Sequence, residues 1–264
     1  MAEKYNSVLQ ARIDESIRLF RQYEPPEGYY LCFSGGKDSS VLYDIAKKSG
    51  VKFDIHYHYM TIEPPPLIDF IKEHYPEVPI EPPLKTMEEL IIQKRIPPLR
   101  TMRYCCYYFK KRCGAGRIKV VGLRRAESSQ RAKREIYEKN NRRKKNDYYL
   151  HPILDWTDKE IWQYITTEGL PYCRLYDEGR HRIGCVLCPF ENWGQAQKDI
   201  KDFPEIAKYI LNACRKSYEI NKGAFTNNIP FNSGDDIFDW WLMKWQDIPE
   251  EERPSRLVDP DTRG

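Results

Sequence analysis

The chain has 264 residues, of which 41% are hydrophobic and 31% are charged, and it carries a formal net charge of +4. This content supports one sizeable domain with an appendage, or two small domains, and it excludes a chain that is disordered throughout. No segment reaches the roughly 20 apolar residues of a membrane helix, and the first residues are charged where a signal peptide is apolar, which predicts a soluble, cytoplasmic protein.

The positive charge is concentrated in one segment. Residues 124–145 contain ten lysines and arginines against three glutamates, a local charge of +7. Subtracting these from the totals of 43 and 39 leaves 33 basic and 36 acidic side chains elsewhere, a net charge of −3. A nucleic acid is therefore a candidate partner of segment 124–145, and a solvated charged surface is the alternative interpretation.

The N-terminal half alternates between predicted helices and predicted strands. Helical periodicity and capping signals predict helices over 6–23, 38–48, 67–74 and 86–95. Short apolar segments predict strands over 29–33, 51–60 and 117–123. A turn containing Pro64, Pro65 and Pro66 is expected before the third helix. This alternation favours a parallel sheet that is covered on both faces.

The sequence becomes predominantly helical after Tyr148. Thr157, with Glu160 three residues later, has the pattern of a capping box at the start of a helix over 156–165. Further helices are predicted near 195–201 and 204–221, and residues 249–264 are predicted to form a loosely held tail. In the last helix one face is apolar, and packing against the protein's own core is preferred over a membrane or a partner. This face contains Phe238, Trp241, Leu242 and Trp245.

The segment CFSGGKDSS (32–40) joins the first predicted strand to the following helix. Its two glycines and the free N–H groups of a helix start can cradle phosphate oxygens. Lys37 adds a positive charge, and Asp38 could hold the Mg²⁺ of a nucleotide. The hydroxyls of Ser34 and Ser39 can bond phosphate oxygens. The GxxxxGK[ST] and GxGxxG patterns are both absent, and a purely structural turn is the alternative. The candidate phosphate-binding residues are Ser34, Gly35, Gly36, Lys37, Asp38 and Ser39.

The hexapeptide SGGKDS (34–39) resembles the PP-loop of the ATP-pyrophosphatase superfamily, which includes adenylating synthetases, tRNA thiolation enzymes and the phosphoadenosine phosphosulfate (PAPS) reductase family. VVGLRRAESSQR (120–131) is similar to the G-x-R-x-x-E-S-x-x-R segment of that last family. HPILDWTDKEIWQYI (151–165) is similar to its P-I-x-x-W-T-x-x-E-I-W segment. The resemblance covers residues 29 to about 190.

The resemblance implies a doubly wound, mostly parallel α/β fold of the adenine-nucleotide alpha-hydrolase type, followed by a cysteine-bearing helical part. It implies an N-terminal helix (1–28), a nucleotide-binding domain (29–192) and a C-terminal helical segment with a tail (193–264).

The second motif adds arginines to the candidate site. Arg124, Arg125 and Arg131 would present planar donors to phosphate or sulfate oxygens, and Glu127 could orient one of them. Gly122, Arg124 and Arg125 join the loop as candidate nucleotide-binding residues. The candidate catalytic residues are Lys37, Asp38, Arg124 and Arg131.

Eight cysteines are too few for a disulfide scaffold, and in a reducing compartment they indicate metal binding or redox chemistry. Cys185 and Cys188 form a C-x₂-C that can hold one metal or cluster. Cys105 and Cys106 are adjacent, which strains a tetrahedral zinc site. The set is similar to the Cys-Cys…Cys-x-x-Cys that holds a [4Fe–4S] cluster in the adenylylsulfate reductase branch and in relatives that sulfur-modify DNA.

The predicted cluster ligands are thus Cys105, Cys106, Cys185 and Cys188. Structural zinc and unliganded thiols remain as alternatives. Cys113 is an alternative to Cys105, and Cys173 is a further candidate ligand. Cys32 and Cys214 have the pattern of small core residues.

One motif of the family is missing from these residues. Sulfonucleotide reductases resemble one another in a C-terminal Glu-Cys-Gly-Leu-His whose thiolate attacks sulfur, whereas no cysteine follows Cys214 here. The favoured prediction is an ATP pyrophosphatase that binds ATP or a sulfonucleotide with Mg²⁺ and adenylates an acceptor for thiolation of a nucleic acid or a small molecule. A sulfur-donor protein is then a candidate partner. The alternatives are an adenylylsulfate or PAPS reductase and a non-catalytic nucleic-acid-binding module.

Overall fold

The computed structural model describes residues 5–111, 113–140, 147–225 and 231–243. The chain divides into two compact units, each assembled from several segments. Unit 1 comprises Met1–Tyr59, Pro65–Pro82 and Arg112–Gly184, and unit 2 comprises Met60–Pro64, Pro83–Lys111 and Cys185–Gly264. The tail predicted over 249–264 and Trp245 lie outside the described residues. No helix in the described ranges is long and apolar enough to cross a bilayer.

Unit 1 is built on a six-stranded sheet with the spatial order β3-β2-β1-β4-β6-β5. The strands are β1 Tyr29–Cys32, β2 Phe53–His58, β3 Ile80–Glu81, β4 Ile118–Val121, β5 Tyr137–Lys139 and β6 Tyr148–Leu150. All neighbouring strands are parallel except β5, which pairs antiparallel with β6. The predicted mostly parallel α/β fold is confirmed. The strand order reverses between β1 and β4, and in such sheets ligands bind at the carboxyl ends of the strands beside that point.

The helices follow the predicted boundaries closely where capping residues mark them. They are α1 Ser7–Gln22, α2 Lys37–Ser49, α3 Pro65–His74, α4 Met87–Lys94, α5 Tyr104–Cys106, α6 Ser129–Ala132, α7 Asp158–Glu168, α8 Trp193–Asp202, α9 Pro204–Phe225 and α10 Gly234–Met243. Thr157 and Glu160 form the predicted capping box of α7. Gly50 ends α2 in the left-handed conformation, as its position predicts.

The prediction for the three prolines before α3 is wrong in one respect. Pro65 and Pro66 form the first turn of α3 rather than the preceding loop. Proline is tolerated there because the first turn of a helix has no internal partner for its N–H groups.

Unit 2 is predominantly helical. Helix α9 packs against α4, α8 and α10 around a shared apolar core. Trp241 of α10 is only 1% exposed, and its indole N–H donates to the carbonyl of Pro98 at 2.8 Å. Phe238 and Leu242 pack partly buried against the same core. The apolar face of α10 therefore packs within the protein's own core, as predicted.

Candidate functional site

The segment between β1 and α2 is a glycine-containing turn that leads into the N-terminus of a helix, a setting in which proteins commonly bind phosphate. Gly36 is the N-cap of α2 and has no side chain that could accept a hydrogen bond from the first N–H groups of the helix. Gly35 has φ +69°, and a Cβ there would lie 2.7 Å from a methyl carbon of Leu67 and 2.8 Å from one of Ile71. The loop thus needs glycine both for its backbone conformation and for its packing.

Gly35→Ala is expected to destabilise the protein by about 2–4 kcal/mol, because a left-handed backbone and a methyl clash add together. Gly50→Ala is the matched control. Gly50 shares the left-handed backbone conformation, with φ +72°, but a Cβ there would contact nothing within 4 Å. The control should lose only about 1–2 kcal/mol. Chemical denaturation measures both, and equal losses would contradict the packing argument.

The two serine hydroxyls hold the shape of the loop. Ser39 Oγ donates to the Gly36 carbonyl at 2.8 Å. It also interacts with the Ser34 N–H at 3.2 Å and with the Ser34 hydroxyl at 3.1 Å. Ser34 and Ser39 therefore connect the two ends of the loop, and Ser39 is buried.

Charged side chains converge at the start of α2. Lys37 Nζ lies 3.3 Å from Asp38 Oδ2 and 3.1 Å from Asp158 Oδ1. Arg124 contacts Asp38 through Nε and Asp158 through Nη2, the latter at 2.9 Å. Burial would raise the pKa of Asp158, but Lys37 and Arg124 outweigh it and hold the pKa below its ordinary value. The structure thus brings Lys37, Asp38 and Arg124 together with Asp158.

The loop after β4 reaches this constellation because Gly122 permits a close approach. A Cβ on Gly122 would lie 3.2 Å from the carbonyl carbon and oxygen of Asp38. This contact is tighter than an ordinary van der Waals contact and involves backbone, which cannot swing away. Gly122 therefore permits close packing of the second motif against the first turn of α2. Its predicted role in nucleotide binding stays a prediction.

The other two arginines are held in different pairs. Arg125 donates to Asp155 at 2.6 Å and to the Ala132 carbonyl at 2.8 Å. Arg131 pairs with Glu127, whose carboxylate also accepts the N–H of Arg124 at 2.9 Å. Arg125 and Arg131 are close to Arg124 in sequence, but their hydrogen bonds and ion pairs are made with Asp155, the Ala132 carbonyl and Glu127.

Sequence reasoning missed two residues that contact the loop. Asp158 is one, although the capping box already placed it at the first position of α7. Tyr176 is the other, and its hydroxyl accepts the Lys37 N–H at 3.0 Å. Burial raises the pKa of Tyr176, so this hydroxyl is neutral near pH 7. No sequence signal singled out Tyr176, because its contact depends on tertiary structure alone.

The four predicted cluster ligands all belong to unit 2. Cys105 and Cys106 lie in α5, which continues as a π-helix over Tyr107–Lys111. A hydrogen bond between these two thiols raises the pKa of Cys105 and lowers the pKa of Cys106. Burial raises the pKa of Cys185 to about 12, and the charges of Cys188 and Cys106 add to this increase. The four thiols are thus near enough to interact electrostatically.

A site for a single metal ion requires its ligands to lie closer together than electrostatic interaction requires. Within the described ranges, no group of three or more His, Cys, Asp or Glu side chains has the spacing to hold one metal ion. In a [4Fe–4S] cluster each thiolate binds a different iron atom, so its ligands are spaced more widely than the ligands of one ion. The donor set of four partly buried cysteines fits the chemistry of such a cluster.

The remaining cysteines differ in exposure. Cys173 and Cys214 are completely buried, and burial raises the pKa of each thiol. Cys32 and Cys113 are partly exposed residues of unit 1.

The basic segment is described only in part. Arg134 pairs with Glu138. Residues 141–146, with four of the ten basic side chains, lie outside the described residues. Nucleic-acid binding by segment 124–145 stays a prediction.

Residues 28–191 match the family model of the phosphoadenosine phosphosulfate reductase domain. The chain belongs to this family. The family predicted from the three motifs is therefore confirmed, and the chain is an enzyme of the PP-loop or sulfonucleotide-reductase kind.

Similar proteins include both sulfonucleotide reductases and an adenylyltransferase. An adenosine 5'-phosphosulfate reductase of Staphylococcus haemolyticus is 35% identical over 175 residues, which are 60% of this chain and 69% of that protein. The PAPS reductase of Candida auris, solved as a phosphate complex, has a TM-score of 0.50 and 17% identity over 69% of this chain and 95% of its own. The FMN adenylyltransferase of Candida glabrata has a TM-score of 0.50 and 18% identity over 76% of this chain and 77% of its own. The two structures support the fold.

Proposed function

We propose that this protein is a PP-loop ATP pyrophosphatase that adenylates an acceptor for sulfur transfer. The observation that carries the proposal is the convergence of Lys37, Arg124 and Asp38 at the N-terminus of α2. Two cations with helix N–H groups suit a polyphosphate, and an adjacent carboxylate suits the Mg²⁺ that accompanies it.

In the proposed reaction an oxygen of the acceptor attacks the α-phosphorus of ATP, and the bond to the β-phosphate breaks. Pyrophosphate leaves with the electron pair of that bond. The N–H groups of the loop, Lys37 and Arg124 stabilise the negative charge that develops on the leaving pyrophosphate. Mg²⁺, when bound, neutralises phosphate charge, and Asp38 is the residue that would hold it. A sulfur donor then displaces AMP from the adenylated acceptor.

A sulfonucleotide reductase is the second candidate, supported by the names of the related proteins. That reaction needs an exposed thiolate of lowered pKa that can attack sulfur. Cys173 and Cys214 are buried and their pKa is raised, so they fit a role in packing better than a role as nucleophile.

We also propose that Cys105, Cys106, Cys185 and Cys188 hold a [4Fe–4S] cluster. The support is their shared location in unit 2 and their electrostatic coupling. Such a cluster supplies iron sites that can bind sulfide or transfer electrons. The hydrogen bond from the Cys105 thiol is the main cause of the lowered pKa of Cys106, and it ends when Cys105 itself binds iron as a thiolate. The positive charges of Lys110 and Arg103 also lower this pKa, and they would still favour the Cys106 thiolate in the cluster.

The two candidate reactions have different products. With thioredoxin as reductant, the anaerobically purified protein is expected to release no sulfite from adenylylsulfate or PAPS. With ATP, Mg²⁺, a sulfide donor and transfer RNA or DNA as acceptor, AMP and pyrophosphate are expected. Chromatography of the nucleotides and a sulfite assay measure both. Sulfite release at a steady rate would contradict the pyrophosphatase and establish the reductase instead, and loss of that release in a Cys113→Ser variant would identify the nucleophile.

A further inference from the structure

The charges of Lys37 and Arg124 are balanced by those of Asp38 and Asp158. Lys37 and Arg124 are only 6% and 3% exposed, and each is paired with both Asp38 and Asp158. Two positive and two negative side chains leave no net charge. A phosphate therefore gains little from the two cations while both carboxylates stay in place.

Asp158 contacts both cations through one carboxylate oxygen, as an oxygen of a bound phosphate group would do. Its Oδ1 atom lies 3.1 Å from Lys37 Nζ and 2.9 Å from Arg124 Nη2. The side chain is 60% exposed at the start of α7, so it can turn into solvent without a change in the core. Its lowered pKa keeps it ionised at neutral pH.

A buried nitrogen supplies independent evidence that a ligand binds here. Arg124 Nη1 is buried and has no hydrogen-bond partner among the residues that the structure describes. Buried guanidinium N–H groups are nearly always satisfied, so this donor is suited to an oxygen of a bound molecule.

We propose that Asp158 makes phosphate binding at this loop depend on a divalent cation, so that the site selects a metal-bound polyphosphate over a metal-free sulfonucleotide. The inference rests on the proposed function, because it explains which class of nucleotide the loop accepts. A Mg²⁺ ion that arrives with the phosphates compensates the carboxylates of Asp38 and Asp158. A metal-free anion must instead compete with Asp158 for two buried cations.

Calorimetric titrations with ATP and with inorganic pyrophosphate, each in Mg²⁺ and in EDTA, test this role. The wild-type protein is expected to bind each ligand roughly tenfold more weakly in EDTA. In Asp158→Asn the difference should fall below about threefold, because affinity for the metal-free anion rises once the competing charge is removed. Asp158→Ala should behave in the same way.

Glu160→Gln is the matched control. It removes the same charge from the same turn of α7, but Glu160 accepts hydrogen bonds from Thr157 and contacts none of the loop cations that the structure describes. It should keep the wild-type dependence on Mg²⁺. Thermal unfolding of each variant establishes that it is folded.

The titrations distinguish a failure of the role of Asp158 from a failure of the proposed function. Equal wild-type affinity in Mg²⁺ and EDTA, or a metal dependence unchanged in Asp158→Asn, overturns the role of Asp158 and leaves ATP binding intact. Binding of adenylylsulfate without binding of ATP contradicts the proposed function, and the pyrophosphate titrations then still decide the role of Asp158. If pyrophosphate does not bind either, that role is overturned too.

Discussion

Replacement of Cys185 or Cys188 by alanine is expected to abolish iron binding. The wild-type protein, purified without oxygen, should be brown and contain iron and acid-labile sulfide in the ratio of a [4Fe–4S] cluster. A site with three of its four ligands holds metal poorly, and the binding energy of a structural metal contributes to folding, so unit 2 should also become less stable. Iron and sulfide analysis together with thermal unfolding measure both effects.

Cys214→Ala is the control for this experiment. Cys214 is a buried thiol of the same unit, lies in α9 and is not among the proposed ligands. This variant should keep its iron. A colourless wild-type protein with one equivalent of zinc would contradict the cluster, and iron retained in both Cys185→Ala and Cys188→Ala would contradict the ligand assignment.

Lys37→Ala is expected to weaken nucleotide binding by about 1.5–3 kcal/mol, the range for a hydrogen bond to a charged group. This corresponds to a roughly 10- to 150-fold rise in the dissociation constant. The physical reason is that the buried ammonium of Lys37 lies at the start of α2, where the phosphates would bind. In the described part of the chain, no other lysine contacts Asp38 and Asp158 and could replace it. Titration of the folded variant with Mg²⁺ and ATP measures the loss.

Lys72→Ala is the control for Lys37→Ala, because it also removes one positive charge from the protein. Lys72 is exposed in the last turn of α3, so its removal should leave affinity unchanged within error. Unchanged affinity in Lys37→Ala would contradict the assignment of the loop.

The phosphate loop could be predicted because its residues are contiguous. A strand, two glycines, Lys37 and Asp38 lie within a few positions, and the backbone geometry follows from that order. Arg124 came from a second motif, and Gly122 explains how that motif reaches α2. The parallel sheet followed from the alternation of helices and strands.

Other features depend on contacts that no local pattern specifies. Asp158 and Tyr176 reach Lys37 from positions more than a hundred residues further along the chain. The three arginines of the second motif look equivalent in sequence, yet Arg124 contacts Asp38 while Arg125 and Arg131 pair with other carboxylates.

Very short elements also escaped prediction. Strand β3 has two residues and β5 and β6 have three each, which is too short for a period-two pattern to emerge. Helix α5 has three residues before the chain continues as a π-helix, and a helical periodicity needs more turns than that.

A crystal structure with Mg²⁺ and an ATP analogue that has a methylene bridge between the α- and β-phosphates tests the central claim most directly. The β- and γ-phosphates are expected at the N–H groups of residues 35–39, in contact with Lys37 and Arg124, with Mg²⁺ beside Asp38. Phosphates bound away from this loop, or bound without contact to Lys37 and Arg124, would contradict the account.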